Sequence, residues 1–363
     1  MTAELIKKRI ASLARKLKEN RVDGMIVTSM SNVSYLTGFM GHDAWAIVLG
    51  KRVWLLTDSR YTEQAESECP SCKIVQRQST LTEETAKILK RNKTAQKLAI
   101  EDTVSLALFA NIKKHIKLKF KKTSGIIETI RAIKSDDEIA NIVKASKIAD
   151  ASLEQVIKQM HIGMTESDFA GMLDYQMRKR NSVAAFDAIV CFGPNGSRNH
   201  HFPGARKLRK NDTVLVDFGA VYKGYRSDKT RTFAVGKADK TFAKAYQTVA
   251  DAQAAAIRLI AEGVALKDID AAAREVIKAT EFPLYGHGTG HGLGLDIHEQ
   301  PFMSHIAKGK LKAGETITVE PGIYIPGRFG IRIEDDVLVT KTGHKILTRT
   351  KKSPQLKIIK AKS

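Results

Sequence analysis

The sequence predicts an α+β protein: a smaller α/β domain over residues 1–124, then a domain over 125–363 in which helices cover a curved antiparallel sheet. Three observations lead there. Short apolar strand patterns interleave with helices up to about residue 124. Long helical patterns take over after it. Two hairpin-like stretches in the second half each carry a pair of carboxylates. Residues 3–20 have helical periodicity, with Leu5, Ile6, Ile10, Leu13 and Leu17 on one side. Gly24–Thr28, Ala44–Leu49 and Arg52–Thr57 read as strands, the last two joined through Gly50-Lys51. Thr80–Lys90 reads as a helix, Lys97–Glu101 as a strand, and a basic strand or linker follows near 113–124. Glu128–Gln159 is a long helical pattern interrupted near Ser135-Asp-Asp-Glu138, where Ser135 and Glu138 make a capping box. Thr165-Glu-Ser-Asp168 starts a similarly capped helix that continues to Arg180, and 241–261 and 266–279 are two more. The two similar hairpins are compatible with an old duplication.

A chain of 363 residues with 43% hydrophobic content supports one large or two ordinary domains with a substantial core. No apolar run approaches the roughly 18 residues that span a membrane. The start, Met1-Thr-Ala-Glu-Leu-Ile-Lys-Lys-Arg9, has no apolar core after its charges and so is not a secretory signal. Cys69, Cys72 and Cys191 are an odd set; Cys69-Pro-Ser-Cys72 has no second pair to complete a thiolate site and reads as two surface cysteines near a strand. A cytoplasmic location is expected. The net charge of +21 raises a nucleic-acid reading. The charge gathers at Lys113, Lys114, Lys117, Lys119, Lys121 and Lys122, and in the tail at Lys341, Lys345, Arg349, Lys351, Lys352, Lys357, Lys360 and Lys362. With no nucleic-acid motif and 6% aromatics, a dedicated nucleic-acid site is not expected.

Thr213–Gly219 reads as a buried strand and Tyr225–Phe233 as its antiparallel partner, with the turn at Tyr222-Lys-Gly224. A hairpin centred there sets Asp217 opposite Asp228. A second hairpin turns around Pro326-Gly327 and sets Glu320 opposite Glu334, both equidistant from Gly327. Opposed like charges destabilise a sheet, and a buried unpaired carboxylate costs several kcal/mol or shifts its pKa upward. Two such pairs suggest a multivalent cation.

Five of the ten histidines fall in two clusters, His200 with His201, and His287, His291 and His298. The second lies in Gly286-His-Gly-Thr-Gly-His-Gly-Leu-Gly-Leu-Asp-Ile-His298, whose glycines let the backbone approach a ligand closely. Four carboxylates and an imidazole are a hard, oxygen-rich set, better suited to two Mn²⁺, Co²⁺ or Zn²⁺ ions than to one structural zinc. Such a pair polarises a carbonyl and generates a hydroxide nucleophile, so the reaction class is metal-assisted hydrolysis. The chain has no GxSxG elbow, P-loop or dinucleotide fingerprint.

These motifs resemble a known family. Val216-Asp-Phe-Gly219, Ser227-Asp-Lys-Thr-Arg-Thr232, Thr289–Glu299, Val319-Glu-Pro-Gly322 and Ile331-Arg-Ile-Glu-Asp335 are similar to motifs of the pita-bread metallopeptidases, in the branch of Xaa-Pro aminopeptidase (aminopeptidase P) and Xaa-Pro dipeptidase (prolidase). The likeness runs over residues 125–345, and residues 20–67, notably Asp58–Gln64, resemble the creatinase-type N-terminal domain. It implies a dinuclear centre, Mn²⁺ first and Co²⁺ or Zn²⁺ as alternatives, in which Asp217 binds one ion and His291 the other, Glu320 lies beside His291, and Asp228 and Glu334 bridge. A bridging hydroxide attacks the scissile carbonyl, with Glu320 as proton shuttle. His200, His287 and His298 match the family's additional active-site histidines, which orient substrate and stabilise the tetrahedral intermediate.

Arg332, two residues before Glu334 and on the same strand face, matches a family arginine near the site; charge balance is its other reading. Phe186 resembles an aromatic that walls the proline pocket, and is otherwise a core residue. Around Cys191–Phe202 the chain departs from the family pattern, leaving open whether His200 or His201 is functional; spacing from Gly193 favours His200. Phe192 and Arg198 in that run bear on substrate preference. The resemblance implies cleavage before proline in peptides by a homodimer. Aminopeptidase P is the first reading, on the compact N-terminal domain and the Arg60-Tyr-Thr-Glu-Gln64 run, and prolidase the second. A catalytically silent relative that binds peptide, protein or RNA is the reading from another class; such relatives lose ligands, and all five are present here.

Overall fold

In a computed structural model, which describes residues 3–348 and the strand Ile358–Ile359, the amphipathic N-terminal stretch forms α1 (Ala3–Glu19) and buries Ile6, Ile10, Leu13 and Leu17. The chain divides into two units, Met1–Arg131 and Ala132–Ser363. Of the basic tail, Arg349, Lys351, Lys352, Lys357, Lys360 and Lys362 lie outside the described residues.

The first unit continues through β1 (Gly24–Val27), α2 (Met30–Thr37), β2 (Trp45–Leu49), β3 (Arg52–Thr57), α3 (Thr62–Glu68), β4 (Lys73–Gln76), α4 (Leu81–Arg91), β5 (Lys97–Glu101), α5 (Leu106–His115), β6 (Lys119–Thr123) and α6 (Ile126–Ala132). Its sheet has the order β4-β3-β2-β1-β5-β6, antiparallel only where β2 meets its two neighbours. The basic stretch near 113–124 is the end of α5 followed by the edge strand β6. Helices α2, α3 and α5 are additions to the sequence reading. The α2 segment is rich in Ser, Thr and Val and has weak intrinsic helix preference, but its last six residues are all buried, and packing decides. In α3 and α5 only Ala65 and Ile112 are buried, so neither carries an apolar stripe to read. Cys69 corrects the surface assignment: it is fully buried behind α3, while Cys72 is half-buried. A thiol packs as a small apolar group, and burial pushes Cys69 up to about 12 and Cys72 to about 11. The boundary read at 124/125 falls before α6. This helix is fastened into the first unit by Arg131, which donates to Asn32 (2.7 Å), and by Asn32, which donates to Glu128 (2.6 Å).

The second unit opens with α7 (Asp136–Gln159), capped by Ser135 and Glu138, and α8 (Glu166–Arg178), capped by Thr165 and Asp168. Next come β7 (Ile189–Phe192), β8 (Thr213–Phe218), β9 (Val221–Tyr222), β10 (Tyr225–Arg226), β11 (Lys229–Val235), α9 (Lys240–Leu259) and α10 (Leu266–Lys278). The strands β12 (Gly290–Gly292), β13 (Glu299–Met303), β14 (Thr316–Val319), β15 (Gly322–Ile325), β16 (Phe329–Arg332), β17 (Asp335–Val339), β18 (His344–Ile346) and β19 (Ile358–Ile359) follow. They form a four-stranded sheet β19-β11-β8-β7 and a five-stranded sheet β13-β12-β14-β17-β18, with β9/β10 and β15/β16 as two-stranded ribbons. Every pairing is antiparallel except β11 with β19. Each sheet has its own apolar filling. Leu153, Phe169 and Leu173 of α7 and α8 pack with Val214, Val216 and Phe233, and Val249, Ile269 and Ile277 of α9 and α10 pack with Ile317, Ile331 and Val337. Among the described residues no helix is long and apolar enough to cross a membrane.

Candidate metal centre

The five expected ligands sit on strands or at strand ends: Asp217 in β8, Asp228 between β10 and β11, His291 in β12, Glu320 just past β14 and Glu334 between β16 and β17. The first hairpin departs from its expected register. Lys223 and Gly224 both take positive φ, 48° and 82°, and make the two-residue turn between Tyr222 and Tyr225. Asp217 therefore pairs with Thr230, and Asp228, two residues earlier, is its diagonal neighbour. The ladder breaks at Ser227, whose carbonyl lies so close to Gly219 that a Cβ there would meet it at 1.9 Å. In the second hairpin Val319 pairs with Asp335 and Gly322 with Arg332, which sets Glu320 against Glu334 as expected. Backbone bonds tie the pieces together: Glu334 N–H donates to Thr230 O (3.2 Å), Glu320 N–H to Thr289 O (2.8 Å), and Asp228 N–H to the Asp336 carboxylate (3.2 Å).

The donors fit divalent cations. Ligand atoms of Asp228, His291 and Glu334 all lie within 4.8 Å of one another. Oδ1 of Asp217 and Oδ1 of Asp228 are buried with no hydrogen-bond partner among the described residues. Burial, and then the neighbouring carboxylates, hold Asp228 and Glu334 well above the ordinary carboxylate range. Burial also raises Glu320, with His287 and Arg332 partly offsetting it. The His291 ring donates from Nδ1 to Gly292 O (3.0 Å), leaving Nε2 at 3.6 Å from Asp228 and 3.5 Å from Glu320. Those distances also suit an imidazolium ion pair, but burial lowers the ring's pKa and favours the neutral form. A lone pair facing two carboxylates is repulsive by itself and suits a shared cation.

Around this cluster, Arg332 is buried and donates to Asp217 Oδ2 (2.6 Å), Thr230 Oγ1 (3.0 Å) and Tyr324 Oη (2.9 Å). Thr230 Oγ1 donates in turn to Glu334 Oε2 (2.8 Å), and Tyr324 Oη to His287 Nε2 (2.9 Å). Arg332 thus pairs with Asp217 and also lines the cavity. His298 packs edge-on against His291, with centroids 4.4 Å apart. His200, His287 and His298 all line one cavity of about 670 Å³ with the five expected ligands. Phe186 is half-buried in its wall rather than in either core. His201 also lines the cavity, but it is engaged by the buried Glu166 at 2.8 Å. Sequence reading missed Tyr324, Thr230 and Glu166. Tyr324 shares the period-two parity of Glu320 and could have been found by it. Thr230 was hidden by the register shift, and Glu166 by its place inside a helix cap.

The model of metallopeptidase family M24 matches residues 140–341, and that of the creatinase/prolidase N-terminal domain matches residues 9–133. A Xaa-Pro dipeptidase of Pyrococcus furiosus is 35% identical over 96% of this chain and 99% of its own length. Among solved structures, a Xaa-Pro dipeptidase from Bacillus anthracis superposes with a TM-score of 0.93 at 36% identity, covering 98% of this chain and 100% of that one. An X-Pro aminopeptidase from Thermotoga maritima does so at 0.90 with 30% identity, over 96% and 99%.

Proposed function

The chain belongs to metallopeptidase family M24, and from that premise we propose that it hydrolyses the Xaa-Pro bond of dipeptides, as a prolidase. This is the reading that sequence analysis placed second. The dipeptidase names of the Pyrococcus furiosus and Bacillus anthracis relatives support moving it ahead of aminopeptidase P. The observation that carries metal-dependent hydrolysis, common to both readings, is the convergence of Asp217, Asp228, His291, Glu320 and Glu334 in one cavity. In this proposal these five side chains hold two divalent cations, Mn²⁺ first. Bound there, the cations supply Lewis acidity and lower the pKa of water.

The protein's own groups do the rest. Glu320, whose carboxyl pKa burial raises, takes a proton and returns it to the leaving nitrogen. His200, His287 and His298 orient the substrate and stabilise charge developing on the scissile carbonyl oxygen. His287 is held for this by Tyr324 and Arg332. Phe186 and Ile189 offer an apolar wall to the proline ring, whose fixed φ and missing N–H suit a shaped pocket. Cleavage of longer peptides is the second reading. It is favoured by the likeness to the Thermotoga maritima aminopeptidase and by Phe202, 77% exposed in the cavity lining. The test is hydrolysis of Xaa-Pro and Xaa-Pro-Yaa after chelation and addition of Mn²⁺, Co²⁺ or Zn²⁺. Turnover of the dipeptide alone supports the proposal, turnover of the tripeptide selects the second reading, and no metal-dependent cleavage of either removes both.

A further inference from the structure

Glu166 belongs to no ligand set, yet its side chain is completely buried. It occupies the first position of α8, where the helix N-terminus favours a negative charge. Oε1 accepts from Phe192 N–H (2.8 Å) and Asn195 Nδ2 (2.9 Å). Oε2 accepts from His201 Nε2 (2.8 Å) and Gly204 N–H (3.2 Å). All four donors come from segment 192–204, and the same helical turn grips the end of that segment through Ser167 N–H to Gly204 O and Ser167 Oγ to Pro203 O, both 3.1 Å. A buried carboxylate with this many donors is a rigid node, whereas one left half-bonded would be costly. His200 stands beside His201 in the same segment and lines the cavity, and its side chain makes no hydrogen bond among the described residues.

We infer that Glu166 is a positioning residue: with His201 as its latch, it fixes segment 192–204 and so aims the free His200 imidazole into the cavity. The two adjacent histidines divide the work, one anchoring and one facing substrate, which answers which of them is functional. The inference rests on the Xaa-Pro reading for its kinetic assay only.

The experiment is a coupling cycle. His201→Phe keeps a ring of similar size but cannot donate, and Glu166→Gln keeps the shape and loses the charge. Each should lower kcat/KM by about ten- to a hundredfold, the worth of a charge-assisted bond. Bound metal and the thermal midpoint should stay near those of the parent. His201→Gln, which still donates an N–H, should recover most of the loss. On a His200→Ala background the same changes should cost less than about threefold, because their route is already removed. A full further loss on that background overturns the inference. The ring resonances of His200 in chelated, histidine-labelled protein give a second reading that needs no turnover. They should be single in the parent and split or broadened in His201→Phe. Unchanged His200 signals overturn the inference even if no Xaa-Pro substrate is cleaved, a result that would by itself remove only the peptidase reading.

Discussion

Asp228→Asn should move stability in opposite directions with and without metal. In chelated protein Asp228 faces Glu334, with ligand atoms within 4.8 Å, and Asp217, Asp336 and Glu320 add to the repulsion. Two full charges at that spacing repel by about 3.5 kcal/mol at an effective dielectric constant near 20. Partial protonation reduces this, so a gain of about 1–3 kcal/mol is expected from removing one charge. Little is lost in exchange, because Oδ1 of Asp228 has no hydrogen-bond partner among the described residues. The gain depends on pH. Asp228, Glu320 and Glu334 have raised folded-state pKa values. Their contribution to stability is therefore complete below the ordinary carboxylate range and is lost as pH rises through the folded values. The chelated parent should weaken from pH 5 to pH 8, the chelated variant less so, and the gap between them should open with pH. With Mn²⁺ present the order should invert under the proposed assignment of Asp228 as a ligand, with less metal bound and activity lost. Urea denaturation of both proteins at pH 5 and 8, with chelator and with Mn²⁺, gives the eight stabilities to be compared. A chelated variant less stable than its chelated parent at pH 8 would refute the electrostatic reasoning.

Three further outcomes follow from the same geometry. Binding of Mn²⁺ should tighten as pH rises and release protons, because the cation displaces them from raised carboxyls; calorimetry in buffers of different ionisation enthalpy reads this directly, and zero proton release would contradict it. Arg332→Met should destabilise the chelated protein by about 3–5 kcal/mol, since it strips the buried Asp217 of its guanidinium partner; a loss under about 1 kcal/mol in denaturant titration would show that the pair contributes little. Cys69 and Cys72, held up to about 12 and about 11 by burial, should resist alkylation in the native protein at pH 8 and react once it is unfolded; mass spectrometry showing rapid native labelling of Cys69 would contradict its burial.

The local grammar of the chain was largely readable. The caps at Ser135 and Thr165, the strand Lys97–Glu101 and the hairpin over Gly50-Lys51 all follow from short-range rules and stand in the structure. The pairing of Glu320 with Glu334 was readable because Pro326-Gly327 marks its turn clearly. The pairing of Asp217 with Asp228 was misplaced because Lys223, a residue not marked for positive φ, adopts it. Helix α2 was invisible because its burial, not its composition, makes it helical. The contacts of Arg332 with Asp217 and of Thr230 with Glu334 join residues about a hundred positions apart. No periodicity in either segment encodes that meeting.

The amides of Asp228 and Glu334 make the seam between the two sheets of the second unit observable. Glu334 N–H reaches the first hairpin at Thr230 O, and Asp228 N–H reaches β17 at the Asp336 carboxylate. Both protons should therefore resist hydrogen exchange only while the two sheets are docked. They should exchange at a common rate, faster in chelated than in Mn²⁺-loaded protein. On this view the centre is a clasp whose opening can be timed at two backbone positions, without substrate and without following catalysis.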